Sequence, residues 1–170
     1  MRHVGFFLLG LSLLIVQTTA FRVLALSEHR FQLWLALVVF HCFRMAPAAS
    51  LIHSFLLGYA SDVFSGGTQG IGALGALLVA LALQWMKRGL ILKSPIALGL
   101  LAGPASILWS ISCLGLGFLI GGSSWVEDFV LWPMLFQAFC LEVIAPPLMY
   151  VFELVESLGK ATRETTSRGP

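Results

Sequence analysis

The chain has 170 residues, of which 58% are hydrophobic and only 11% charged, and ten Lys/Arg against eight Asp/Glu give a net charge of +2. A soluble domain is about 45–50% apolar and about 25% charged, so this composition leaves too few charges for a water-facing surface and argues for a membrane protein of one domain. No basic run with interleaved aromatics suggests nucleic acid, and Cys42, Cys113 and Cys140 lie in apolar runs without CxxC spacing, which argues against a metal site or a disulfide framework.

A bilayer core about 30 Å thick takes about 20 apolar residues per helix. Taken in chain order, the apolar runs predict six spans, approximately 4–26, 30–44, 48–64, 70–86, 95–121 and 128–156, forming a single transmembrane domain over 1–158. Residues 159–170 read as a polar cytoplasmic tail. The expected fold class is therefore all-α, a polytopic integral membrane six-helix bundle.

The first run, with Arg2 and His3 before it and QTTA at its end, has the outline of a cleaved signal peptide. The apolar runs that follow make an uncleaved first helix the simpler reading. The second run is short for a span, so it is tilted, extended through its neighbours, or not fully crossing. Its His41, with His53 on the third run, would suit a proton relay or a metal pair. Neither has carboxylates or cysteines at ligand spacing, which favours structural hydrogen bonding.

Between the third and fourth runs lies FLLGYASDVFSGGTQGIGAL, residues 55–74. The SGGTQG segment reads as a tight turn, with Ser65 or Thr68 available to cap the next helix. Asp62, just before it, is expected to bond the turn's backbone N–H groups or cap the fourth helix; the alternative is a partner- or ion-binding role. Without a hydrophobic force between helices in lipid, small residues at four-residue spacing allow close packing. Gly66 and Gly70, Gly72 with Ala76 and Ala80, Gly99 and Gly103, and Gly117 and Gly121 all have this spacing.

In the sixth run Glu142 has no adjacent cation, so it should face a helix-lined interior or a partner, or be protonated. Glu153 and Glu156 read as a solvated helix end, with Lys160 four residues from Glu156. Pro146 and Pro147 remove two backbone donors and should kink this helix. Trp125 and Trp132 suit one interface and Trp85 the other; Trp34 and Trp109 have no evident place.

Counting basic residues in short loops, Arg2, Arg44, Lys87, Arg88, Lys93, Lys160, Arg163 and Arg168 fall on one side, and only Arg22 and Arg30 on the other. This supports an even number of spans with both termini cytoplasmic.

The LLIVQTTAF helix followed by FLLGYASDVFSGGTQGIGAL resembles the bacterial rod shape-determining protein MreD family, and VIAPPLMY, residues 143–150, resembles that family's A-P-L step. The specific part of the resemblance is residues 55–75. The chain departs from the pattern in Tyr59 and Ala60, where leucines are usual, in its doubled proline, and in the histidines of its second and third runs. The resemblance implies a non-catalytic scaffold of the cell-elongation complex in the bacterial inner membrane. Such a protein binds the transmembrane helix of MreC, and through it RodA, its partner transpeptidase and MreB filaments. The family's fold is similar to the substrate-binding S-components of vitamin transporters. By the resemblance, Gly58, Asp62, Ser65, Gly66, Gly70 and Pro146 are the motif positions, structural or partner-facing. No phosphate loop, nucleophile with a base, two-carboxylate site or cofactor motif stands in the sequence. The rival expectations are a small-molecule-binding transport subunit with a cavity near Asp62, Ser65 and Gln69, and an intramembrane enzyme in which Asp62, His53 and Glu142 converge.

Overall fold

The computed structural model describes residues 2–23, 32–65, 70–89, 94–121 and 131–167, and every regular element among them is an α-helix. They are α1 (Arg2–Val23), α2 (Trp34–Arg44), α3 (Pro47–Ser65), α4 (Ile71–Lys87), α5 (Pro95–Leu100), α6 (Ala102–Gly121) and α7 (Leu131–Ser167).

α2 is the axis of the bundle. Trp34 through Cys42 are all buried, and the helix packs against α1, α3, α4, α5, α6 and α7 alike. A helix apolar around its whole circumference has no face suited to water and belongs inside a core. Its 11 residues rise only about 16 Å, roughly half a hydrocarbon core. The second predicted span, 30–44, is thus shortened to a central plug beginning at Trp34.

Helices that follow one another in the chain run in opposite directions, α5 and α6 together counting as one, whereas α4 and α7 end where α2 ends and run parallel to it. Leu33, at the start of α2, meets Gln17 near the end of α1, and Asp62 near the end of α3 meets the start of α4. Lys87, the last residue of α4, returns to the end of α2, where Glu153 of α7 pairs with Arg44. One end of the bundle is therefore marked by Asp62, the other by Lys87.

α5 and α6 behave as one rod with a local step. Pro104 has no N–H to donate to the Leu100 carbonyl four residues earlier, and Leu101 N–H instead donates to Leu98 O at 3.2 Å, a tighter turn. Pro95–Ile120 and Leu131–Ser157 are long and apolar enough, by length and composition, to cross a membrane. α7 runs through Pro146 and Pro147 without a break and on to Ser167. The polar tail thus continues the helix over 159–167, and 168–170 lies outside the described residues.

Close approach comes from glycines at the helix contacts. A methyl group at Gly58 would lie 2.8 Å from Ala73 Cα, Ala76 Cβ and the Gly72 carbonyl oxygen, so α3 and α4 touch backbone to backbone. At Gly10 it would meet Leu57 and Leu37 at 2.6 and 2.9 Å, joining α1 to α3 and α2. Gly99 and Gly103 lie against α7, the first 2.6 Å from Pro146 Cα by the same measure. Pro146 therefore packs directly on Gly99.

Candidate functional site

The α3–α4 junction is built around one carboxylate. Asp62 is 8% exposed, and its Oδ2 accepts from the N–H of Gly70 at 2.9 Å and of Ala73 at 3.2 Å. Backbone donors at a helix start have no partner within the helix, and the positive end of its dipole favours an anion there. Gly70 precedes α4 with φ +98° and ψ −20°, in the left-handed region that favours glycine. A methyl group at Gly72 would collide with the Asp62 carboxylate, so the glycine lets the acid reach in. Ser65 plays a different part from the cap anticipated for it: its Oγ donates back to the Asp62 carbonyl at 3.2 Å, and the side chain is exposed. Gly70 likewise is no helix–helix notch, since nothing lies within 4 Å of the position of a Cβ. Gly66, Thr68 and Gln69 lie outside the described residues, as does Trp125.

α6 closes over this junction. Trp109 Nε1 donates to the Gly72 carbonyl at 3.2 Å, and the Trp109 ring meets Trp34 edge to face at 6.0 Å. Gly75 leaves room for Cys113 and Trp109, the sulfur lying 2.9 Å from where a Cβ would sit. The two tryptophans without an evident place are thus an interior pair. Trp34 is fully buried, and no acceptor among the described residues reaches its Nε1; the same holds for the buried Ser106 Oγ.

Sequence reasoning missed a second polar constellation, at the Lys87 end. Lys87 Nζ donates to the carbonyls of Cys42 at 3.0 Å and Met45 at 3.4 Å. Gln84 Nε2 donates to the same Cys42 carbonyl at 3.0 Å and to Ser50 Oγ at 2.7 Å. Two α4 side chains therefore cap the C-terminus of α2, whose dipole favours a cation. At the opposite end of α2, Gln17 Oε1 accepts from Leu33 N–H at 3.0 Å. A helix buried from Trp34 to Cys42 thus has groups at both ends bonded by its neighbours. Glu153, read as part of a solvated helix end, pairs there with Arg44 in a part-exposed salt bridge.

His41 and His53 make an edge-to-face ring contact at 5.2 Å. His53 Nδ1 donates to the Ala49 carbonyl at 2.7 Å. No group of three or more metal-ligating side chains occurs among the described residues. Asp62, His53 and Glu142 do not converge. The first two are nine residues apart on α3, about 13 Å along its axis, and Glu142 sits on the seam of α7 with α6, beside Gly103.

No family model, curated protein or solved structure matches this chain.

Proposed function

We propose that the chain is a non-catalytic scaffold of the inner membrane, a six-span protein of the MreD kind with both termini cytoplasmic, which holds the transmembrane helix of MreC within the cell-elongation complex. RodA, its partner transpeptidase and MreB would be reached through MreC. The observation that carries this reading is the α3–α4 junction. The residues behind the resemblance form a rigid joint: Gly58 brings the two backbones together, Asp62 ties them, and Gly70 turns between them. A scaffold needs such a fixed frame, since the entropy of ordering a surface is set against binding.

Two further features support it. Large apolar side chains cover the outside, among them Ile52, Leu78, Leu81, Phe139 and Val151, as suits a surface facing lipid. Arg44, Lys87 and Arg88 gather at one end of the bundle, in keeping with the charge asymmetry that sets orientation. The small-molecule alternative asks for an outward cavity near Asp62, Ser65 and Gln69; Asp62 spends its Oδ2 on two backbone donors, and Gln69 lies outside the described residues.

The test is purification from native membrane in mild detergent. The wild-type chain should retain MreC in fixed ratio, and Gly58→Leu, which forces α3 from α4, should lose most of it while His41→Phe keeps it. A well-folded wild-type chain that retains no MreC would overturn the proposal.

A further inference from the structure

α7 carries one charge between Leu131 and Phe152, Glu142. It stands 11 residues into a 27-residue apolar window, about 16 Å from its start and close to its middle. The rod formed by α5 and α6, its neighbour here, has no Asp, Glu, Lys or Arg between Pro95 and Gly121. The Glu142 carboxylate has no hydrogen bond or ion pair with any other described residue. Its Oε2 lies 3.1 Å from where a Cβ would stand on Gly103, so the absence of a side chain at Gly103 leaves the acid room at the seam. Glu142 is half-buried there, and Leu100 on one side and Phe139 and Val143 on the other are exposed.

The proline pair adds acceptors at the same level. In a continuous helix the N–H of residue 146 would bond the carbonyl of Glu142, and that of residue 147 the carbonyl of Val143. Prolines supply neither donor. A carboxylate and two backbone carbonyls relieved of their helical donors therefore lie within one turn, at mid-depth, with no Lys or Arg between Pro95 and Gly121 or between Leu131 and Phe152. Ionisable groups inside a membrane are costly and as a rule pair with something. The surplus within this turn of α7 is of acceptors, and Ser106 Oγ, three residues along α6 from Gly103, reaches none of them, so the complement is a donor from outside.

We propose that the α6–α7 seam at Glu142 docks a transmembrane helix of a partner chain through a hydrogen-bond-donating side chain at mid-membrane depth. The inference rests on the scaffold reading and names the place of contact. The exposed apolar flanks accept the body of a helix, Gly103 leaves Glu142 room in the seam, and Glu142 selects the one with a donor at the right height.

The probe is a 20-residue leucine–alanine host helix carrying a single central Asn, compared with the same helix carrying Leu there. The full-length chain, donor-labelled in vesicles, reports acceptor-labelled peptide by energy transfer, at dilutions where the peptide does not self-associate. The Asn helix should bind about three- to tenfold tighter than the Leu helix. Moving the Asn two turns toward either end of the host should abolish the difference, a readout that uses the unaltered protein. Glu142→Leu should abolish it too, and Glu142→Gln, which keeps an acceptor, should retain most of it. Equal binding of both hosts, or a preference that survives Glu142→Leu, would overturn the inference. So would energy transfer between copies of the chain that Glu142→Leu removes, since the seam would then belong to a second copy. Retention of MreC without an Asn preference would sink this inference alone. An Asn preference without MreC would sink the family reading alone.

Discussion

At Asp62 one oxygen serves two backbone donors, Gly70 N–H and Ala73 N–H, neither of which has a partner within its own helix. Truncating the side chain strands both in a buried place. Asp62→Ala is expected to cost about 1–3 kcal/mol, read as a fall in thermal stability in detergent, and Asp62→Asn to recover much of it because the amide oxygen can accept in place of the carboxylate. An Asn variant no better than Ala would show that charge at the helix dipole, and not hydrogen bonding, holds the junction. The role of Asp62 was legible in the sequence because donor and acceptor are eight and eleven residues apart, spanned by one turn. Ser65 illustrates the opposite: a serine before a helix has the composition of a cap, but here the preceding helix runs through it and its hydroxyl turns back to Asp62. Local propensity allowed both, and the longer-reaching carboxylate occupied the donors.

Among the elements, α2 is where reading along the chain and folding in space part company. Its shortness was visible as a short apolar run, but its centrality was not, since nothing local distinguishes a lipid-facing leucine from one packed on six helices. Its caps were equally hidden: Gln17 lies 16 residues from Leu33, and Gln84 and Lys87 lie 42 and 45 residues from Cys42. A lysine at the end of an apolar run reads as a topology signal, yet here its ammonium completes a helix end. Because Gln84 and Lys87 share the Cys42 carbonyl, either alone can satisfy it. Gln84→Leu and Lys87→Met should each cost about 0.5–1.5 kcal/mol, and together more than the sum of the two. Denaturant unfolding of the four proteins in micelles gives the coupling directly, and strict additivity would mean that the carbonyl is not shared.

For the whole molecule, helix count and spacing were legible because apolar run length maps onto helix length, whereas the α6–α7 seam depended on Gly99 and Gly103 meeting Pro146 and Glu142 across about 40 residues of sequence. The alternation of helix direction carries a topological consequence that one experiment can decide. Ser65 is exposed beside the Asp62 junction and Arg88 is exposed at the Lys87 end, so in a membrane-spanning bundle they stand on opposite faces. The end that gathers Arg44, Lys87 and Arg88 should face the cytoplasm, because translocating basic loops is disfavoured. In a chain with its three cysteines replaced, Ser65→Cys should react with a membrane-impermeant maleimide in intact spheroplasts. Arg88→Cys should react only after the membrane is broken. Labelling of both before disruption would mean that the two ends share one compartment, and the spanning arrangement would fall; the reverse pattern would keep the bundle and invert its orientation, leaving the positive end outside.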